Sequence, residues 1–235
     1  MPTTSFERTW AIANEAAGWL TRDQAALLHS TAATLGRDAT VVEIGSYEGR
    51  STLMLASGLQ HEGSKVVAID PWTENWKFGA VGTRDRFSEH VRRAGLTDRV
   101  RVVAERSQTV RPAWQGPLDL LFIDGKHDVW SFMDDLRWSD HGVPGSFVLV
   151  HDCFSSVGVT LGVLAGVLPS RRLSYVDRVG SLARFRLARP SVADRLRIIG
   201  ELPWWLRNVA VKVALRLRWA RLARAMRHEG SADPY

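Results

Sequence analysis

Five runs of β-branched and aliphatic residues mark out the chain, at positions 41–44, 65–70, 99–104, 118–125 and 146–150. Over 51–59, 83–95, 130–141 and 157–168 the apolar residues instead return every three or four positions, as Phe87 and Val91 do. The first pattern predicts strands and the second helices. The run 118–125 is apolar almost throughout, which predicts a central parallel strand covered on both faces. Gly142-Val143-Pro144-Gly145 reads as a helix stop and a turn. Two last runs, 172–176 and 182–187, flank Arg178-Val179-Gly180 and predict a hairpin. Five strand–helix alternations closed by a hairpin predict an α/β fold: a doubly wound, mostly parallel sheet with an antiparallel C-terminal end.

Both ends of the chain are helical in pattern. Positions 6–35 read as two pieces broken near Gly18-Trp19-Leu20, which cover the sheet or form part of a lid. Thr21 is placed to cap the second piece, with Gln24 at the capping-box position and Gly36 just past its end. Leu202-Pro203-Trp204-Trp205 starts a C-terminal helix with Pro in its first turn, expected to run to about Arg227. Trp204, Val211, Leu215, Trp219, Leu222 and Met226 form one apolar stripe on it. Leu206, Val209, Val213, Leu217 and Ala220 form a second. Arg207, Arg218 and Arg221 lie between the stripes on one side, and Lys212, Arg216 and Arg227 on the other. A helix resting on its own domain needs one stripe, so two predict contact with two bodies. The expected organisation is a helical cap over 1–37, an α/β domain over 38–188 and a basic amphipathic tail over 189–235.

Charge sharpens this division. The chain carries +6 overall. Positions 189–228 alone hold ten Lys/Arg against Asp194 and Glu201, an excess of eight. The body is therefore slightly acidic and the basic character belongs to the tail. An anionic membrane surface and a second copy of the chain are both expected partners for such a helix. Nucleic acid is not expected, since the body lacks a basic face with interleaved aromatic residues. A hydrophobic content of 45% and a charged content of 24% fit a soluble globular protein. A single cysteine, Cys153, excludes an internal disulfide framework and suits the reducing cytoplasm. The N-terminal residues show no signal-peptide pattern, and the longest apolar stretch, 154–168, is too short to span a bilayer. The location expected is cytoplasmic, with the tail allowing a peripheral position at the inner membrane face.

The candidate chemistry begins at the first strand. Glu43, Gly45 and Gly49 make the spacing E-x-G-x-x-x-G between a strand and a helix. Gly45 permits a sharp turn, Gly49 leaves room for a ligand close to the main chain, and the helix start offers unpaired N–H groups. Such a turn serves a nucleotide-like ligand or is merely structural. Asp70 ends the second strand, placed to accept from ribose hydroxyls or to cap the following loop. Trp72 and Trp76 in the loop 71–82 are available to cover a flat ring or to pack the loop.

The order of these features resembles the class I S-adenosylmethionine-dependent methyltransferases. Ile123-Asp124-Gly125-Lys126-His127, the Pro144-Gly145 turn and His151-Asp152 complete the series. More narrowly, the chain is similar to small O-methyltransferase-like proteins typified by IDG-x-H and HD motifs, over about 41–187. The resemblance implies a Rossmann-like fold and S-adenosylmethionine as cofactor. It implies that Glu43, Gly45, Ser46 and Gly49 line the methionine part of the cofactor. By the same resemblance Asp70 holds the ribose, Trp72 walls the adenine, Arg106 and Ser107 meet its edge, and Asp124 lies by the reactive methyl. It implies methylation of a hydroxyl on a sugar, a glycolipid or a secondary-metabolite acceptor.

Methyl transfer from a sulfonium needs in-line approach and help for the acceptor to lose its proton. Asp124 and Asp152 end neighbouring strands, where two carboxylates can hold Mg²⁺. Metal-dependent relatives supply a third oxygen after the second acid, and here that position is the soft Cys153. Without a metal, His127 or His151 is the candidate base. Alternatively His127 caps the next helix and His151 is satisfied by backbone. Asp128, Asp134 and Asp135 read as helix-start or surface acids. A non-catalytic protein keeping the fold for binding or scaffolding is the other class of reading. Retention of Asp70, Asp124 and the glycine turn disfavours it, and the missing third glycine disfavours a nicotinamide-dependent reductase.

Overall fold

The computed structural model describes residues 5–73 and 81–219. Five parallel strands, β1 (Thr40–Ile44), β2 (Lys65–Ile69), β3 (Val100–Val103), β4 (Leu118–Ile123) and β5 (Gly142–Val150), are followed by the hairpin β6 (Leu173–Val179) and β7 (Leu182–Leu187). β7 runs antiparallel to β5, and the order across the sheet is β3-β2-β1-β4-β5-β7-β6. The strand order reverses between β1 and β4. In an open α/β sheet that reversal leaves a crevice at the carboxyl ends.

Two apolar cores sandwich the sheet. The first is covered by α1 (Ser5–Ala13), α2 (Arg22–Ala33), α3 (Arg50–Gly58) and α4 (Thr83–Arg93). The second is covered by α5 (Ser107–Val110), α6 (Val129–Leu136), α7 (Val157–Gly162), α8 (Val192–Gly200) and α9 (Leu202–Arg216). Alternate strand residues feed opposite cores: Val41, Ala68, Leu120 and Phe122 enter the first, Val42, Val67, Leu121 and Ile123 the second. Burial on both faces is why these strands read as unbroken apolar runs.

Three sequence expectations change. The helix expected over 130–141 leaves α-helical geometry after Leu136 and finishes as a 3-10 turn, Arg137–His141. The segment 142–145, expected as a turn, is the first part of β5. Leu118 pairs with Gly142, the register shifts, and Leu120 then pairs with Phe147. Gly145 at φ 95° and the Ser146 hydroxyl on the Leu118 carbonyl (2.6 Å) absorb the extra residues. Gly and Pro here mark an irregularity inside a strand rather than its boundary.

The third change is the C-terminal helix, which ends at Arg216 rather than near Arg227. Arg218 turns left-handed (φ 61°), its N–H bonds the Leu215 carbonyl, and the Trp219 N–H bonds the Ala214 carbonyl. That pair of bonds is a Schellman stop with arginine in the place glycine usually takes. Trp219 therefore leaves the inner stripe and is exposed, while Ala220, Arg221, Leu222, Met226 and Arg227 lie outside the described residues, as does Trp76.

The N-terminal pieces form as expected. Thr21 and Gln24 make a complete capping box at the start of α2. α1 and α2 cover the first core, and their connector lies over the glycine turn. The Arg50 guanidinium donates to the carbonyls of Ala16, Gly18 and Leu20, and the Ala17 N–H donates to Glu48.

Candidate active site

Four strands end level with one another. Ile44 pairs with Ile69 on one side and with Ile123 on the other, and Ile123 pairs with Val150. The ladder then runs one residue further. Gly45 N–H donates to the Ile69 carbonyl (2.9 Å), Asp124 N–H to Ile44 (2.8 Å) and His151 N–H to Ile123 (3.0 Å). Gly45, Asp70, Asp124 and His151 thus stand in a row along the carboxyl edge, each next after a buried aliphatic residue. Non-glycine residues with left-handed backbone gather here too: Tyr47, Trp72, Asp152 and Phe154.

Gly45 is required twice over. Its φ is 87°, and a Cβ on it would lie 2.3 Å from the Asp124 carbonyl oxygen. Gly49, at φ 92°, was expected to leave room for a ligand. That space is taken by the Phe87 ring, 3.0 Å from where a Cβ would sit. Glu43 is fully buried beneath the turn and accepts from the hydroxyls of Ser46 (2.9 Å), Ser51 (2.5 Å) and Thr52. Burial pushes its carboxyl up to about 7, against the pull of those three hydroxyls.

Asp70 braces the turn from the neighbouring strand. Its Oδ2 accepts the N–H groups of Ser46 (3.0 Å) and Tyr47 (2.9 Å), and its Oδ1 that of Trp72 (2.8 Å). The Trp72 indole N–H returns to the Tyr47 carbonyl (2.8 Å), and its ring meets Phe87 edge-on at 5.1 Å. Arg106 is exposed at the start of α5, whereas Ser107 is buried and donates to Asp135. Asp135, expected at the surface, is buried because it shares the inward face of α6 with Phe132 and Leu136. Burial pushes its carboxyl up to about 6. Asp128 caps α6 as expected, and Asp134 pairs with Arg111 at 2.8 Å.

The β4 and β5 ends bring two imidazoles between two carboxylates. His127 Nδ1 is 3.2 Å from Asp152 Oδ2, and its Nε2 is 3.7 Å from Asp124 Oδ1. His151 Nδ1 is 3.1 Å from the same Asp124 oxygen. Burial opposes charge on Asp124 and on His127, but the attraction wins. Asp124 is held down to about 2 by His151 and His127, and His127 is raised by Asp124 and Asp152. His151 is buried while His127 is half open to solvent.

For a divalent cation, Asp124, His151 and Asp152 each offer a ligand atom, all within 4.8 Å of one another. Cys153 is not among them: it is buried in the second apolar core, where burial pushes its thiol well up. The third donor is therefore imidazole on the residue before Asp152, rather than an atom on the residue after it. Two oxygens and one nitrogen fit a first-row transition ion better than Mg²⁺.

Gln24, expected from the sequence only at the capping-box position, reaches further. Its Oε1 accepts from Thr21 N–H (2.9 Å) and lies 3.4 Å from His151 Nε2, while its Nε2 donates to Ser181 (3.1 Å). One side chain thus ties the N-terminal helices, the β6–β7 turn and the site. Nothing local to Gln24 could announce contacts 127 and 157 positions away.

Residues 42–153 match the model of a family described as a methyltransferase domain. Solved structures share the architecture. A Bacillus cereus O-methyltransferase in complex with SAH is 20% identical, covering 80% of this chain and 93% of its own at a TM-score of 0.60. The Streptomyces achromogenes O-methyltransferase TomG, involved in tomaymycin synthesis and solved with SAM, is 17% identical, with 80% and 91% covered and a TM-score of 0.58. SAH-bound PaMTH1 of Podospora anserina is 16% identical, with 79% and 88% covered and a TM-score of 0.59. Residues 42–153 thus match a methyltransferase domain, and the fold around them is the one these O-methyltransferase structures share.

Proposed function

We propose that the protein transfers a methyl group from S-adenosylmethionine to a hydroxyl of a sugar, a glycolipid or a secondary-metabolite acceptor, with His127 as the base. The observation that carries this reading is the His127–Asp152 contact of 3.2 Å beside the glycine turn. The cofactor lies along residues 45–49 with Glu43 and Ser46 shaping the turn from below. Asp70 Oδ1, which among the described residues accepts the Trp72 N–H, faces the ribose diol. Trp72, Arg106 and the Ser107 backbone border the adenine, and the Asp124 carboxylate stands by the sulfonium.

Asp152 fixes the proton of His127 on Nδ1 and leaves Nε2 to accept one from the acceptor hydroxyl. As the oxygen attacks, the new C–O bond forms while the C–S bond breaks in line, and the sulfonium leaves as a neutral thioether. His151 holds Asp124 ionised. A divalent cation on Asp124, His151 and Asp152, Mg²⁺ or a transition ion, would bind the acceptor oxygen and lower its pKa. The two partner expectations, an anionic membrane surface and a homo-oligomer, rest on α8 and α9 rather than on the reacting atoms.

Labelled methyl transfer to a panel of hydroxylated acceptors tests this, run with EDTA, Mg²⁺ and Mn²⁺. Transfer to a hydroxyl that falls by about 10²–10⁴ in His127→Ala supports it. Undiminished transfer in that variant removes His127 from the role.

A further inference from the structure

α9 is tied to the loop that carries Asp152. Buried Asn208 donates to the Phe154 carbonyl (3.2 Å), and Lys212 Nζ donates to the Ser155 carbonyl (2.9 Å). Ser155 in turn donates its hydroxyl to Asp152 Oδ1 (3.2 Å). At the helix start Arg178 stacks on Trp204 at 4.0 Å and pairs with Glu201 at 2.7 Å. Val211 and Ala214 complete the inner face. The tail helices are thus joined to the catalytic domain.

The outer face of α9 is apolar. Leu206, Val213 and Leu217 are 60%, 50% and 50% exposed, and Trp219 just past the helix is 57% exposed. α8 also turns Leu196 and Ile199 outward. From Leu202 to Trp219 there is no acidic residue, while Arg207, Arg216 and Arg218 flank the stripe. A self-complementary contact would set these cations against the same set on a second copy. An anionic lipid surface instead complements them and accepts the apolar stripe between its headgroups.

We propose that the outward face of α9 docks on an anionic phospholipid membrane, holding the loop 153–156 and the methyl-transfer cleft at the bilayer surface. The docking itself is independent of the methyl-transfer reading.

Sedimentation of the full chain with vesicles tests it. The protein should pellet with phosphatidylglycerol-containing vesicles and release at high salt. Affinity for phosphatidylcholine vesicles should be about tenfold weaker or less. Leu206→Glu with Val213→Glu should abolish pelleting while the melting temperature and S-adenosylmethionine affinity stay unchanged. Arg216→Gln with Arg218→Gln, which leaves the packing untouched, should weaken pelleting if the apolar variant does not fold. Absence of pelleting with anionic vesicles overturns the proposal, as does pelleting that neither pair of substitutions reduces. A dimer in sedimentation equilibrium that the Leu206/Val213 variant dissociates also overturns it, and assigns the face to a second copy.

Discussion

His127 Nδ1 stands 3.2 Å from Asp152 Oδ2, although the two residues come from loops after different strands. The β4–β5 register sets that distance, since Ile123 pairs with Val150 and both loops leave the same edge. The carboxylates outweigh burial and raise the imidazole above its ordinary value. Its proton-accepting form therefore appears only as pH rises through that raised value. With EDTA present, kcat/KM should climb along an acid limb centred above about 6.5, the ordinary imidazole value. Asp152→Asn should move the limb to lower pH and reduce the plateau. A limb unmoved in that variant would separate His127 from Asp152.

Gly45→Ala places a methyl 2.3 Å from the Asp124 carbonyl at a backbone φ of 87°. The β1 and β4 ends must then part, at a cost of roughly 2–4 kcal/mol, with loss of cofactor binding. Gly36→Ala, where no described residue lies within 4 Å of the new methyl, is the control and should stay within about 0.5 kcal/mol. Denaturant melts and cofactor titrations of both variants check this.

Glu43 gives a pH dependence of stability. Its folded value of about 7 lies above the ordinary glutamate value of about 4.5, so the folded protein holds a proton that the unfolded chain has released between those values. The stabilisation is complete below about 4.5, falls as pH rises and is gone above about 7, a span on the order of 3 kcal/mol. Glu43→Gln should flatten this part of the stability–pH curve. Parallel slopes in the two proteins would contradict it.

Asn208 is buried with its Nδ2 on the Phe154 carbonyl. Asn208→Ala leaves that carbonyl unpaired and should cost about 1–3 kcal/mol. Because the loop after β5 loosens, kcat should fall more than cofactor affinity. Melts and steady-state kinetics on one preparation separate the two effects.

Much of this was legible in the chain. The strand runs and the acids after them fixed the row Gly45, Asp70, Asp124 and His151, because a buried parallel strand is recognisable by its apolarity. The purpose of Gly49 was not, since only the fold brings Phe87 against it. Asp135 looked like a surface acid for the same reason: its inward direction depends on which face of α6 meets the sheet. Gly142 to Gly145 misled because a bulge and a turn use the same residues. The stop after Arg216 was hidden, as arginine rarely ends a helix in the left-handed conformation.

Calorimetric titration of S-adenosylmethionine into the purified full chain tests the central claim most directly. Binding with a micromolar Kd that Asp70→Ala abolishes is the result predicted. No heat of binding with S-adenosylmethionine or S-adenosylhomocysteine, with or without divalent ions, would contradict it and leave a fold kept for another purpose.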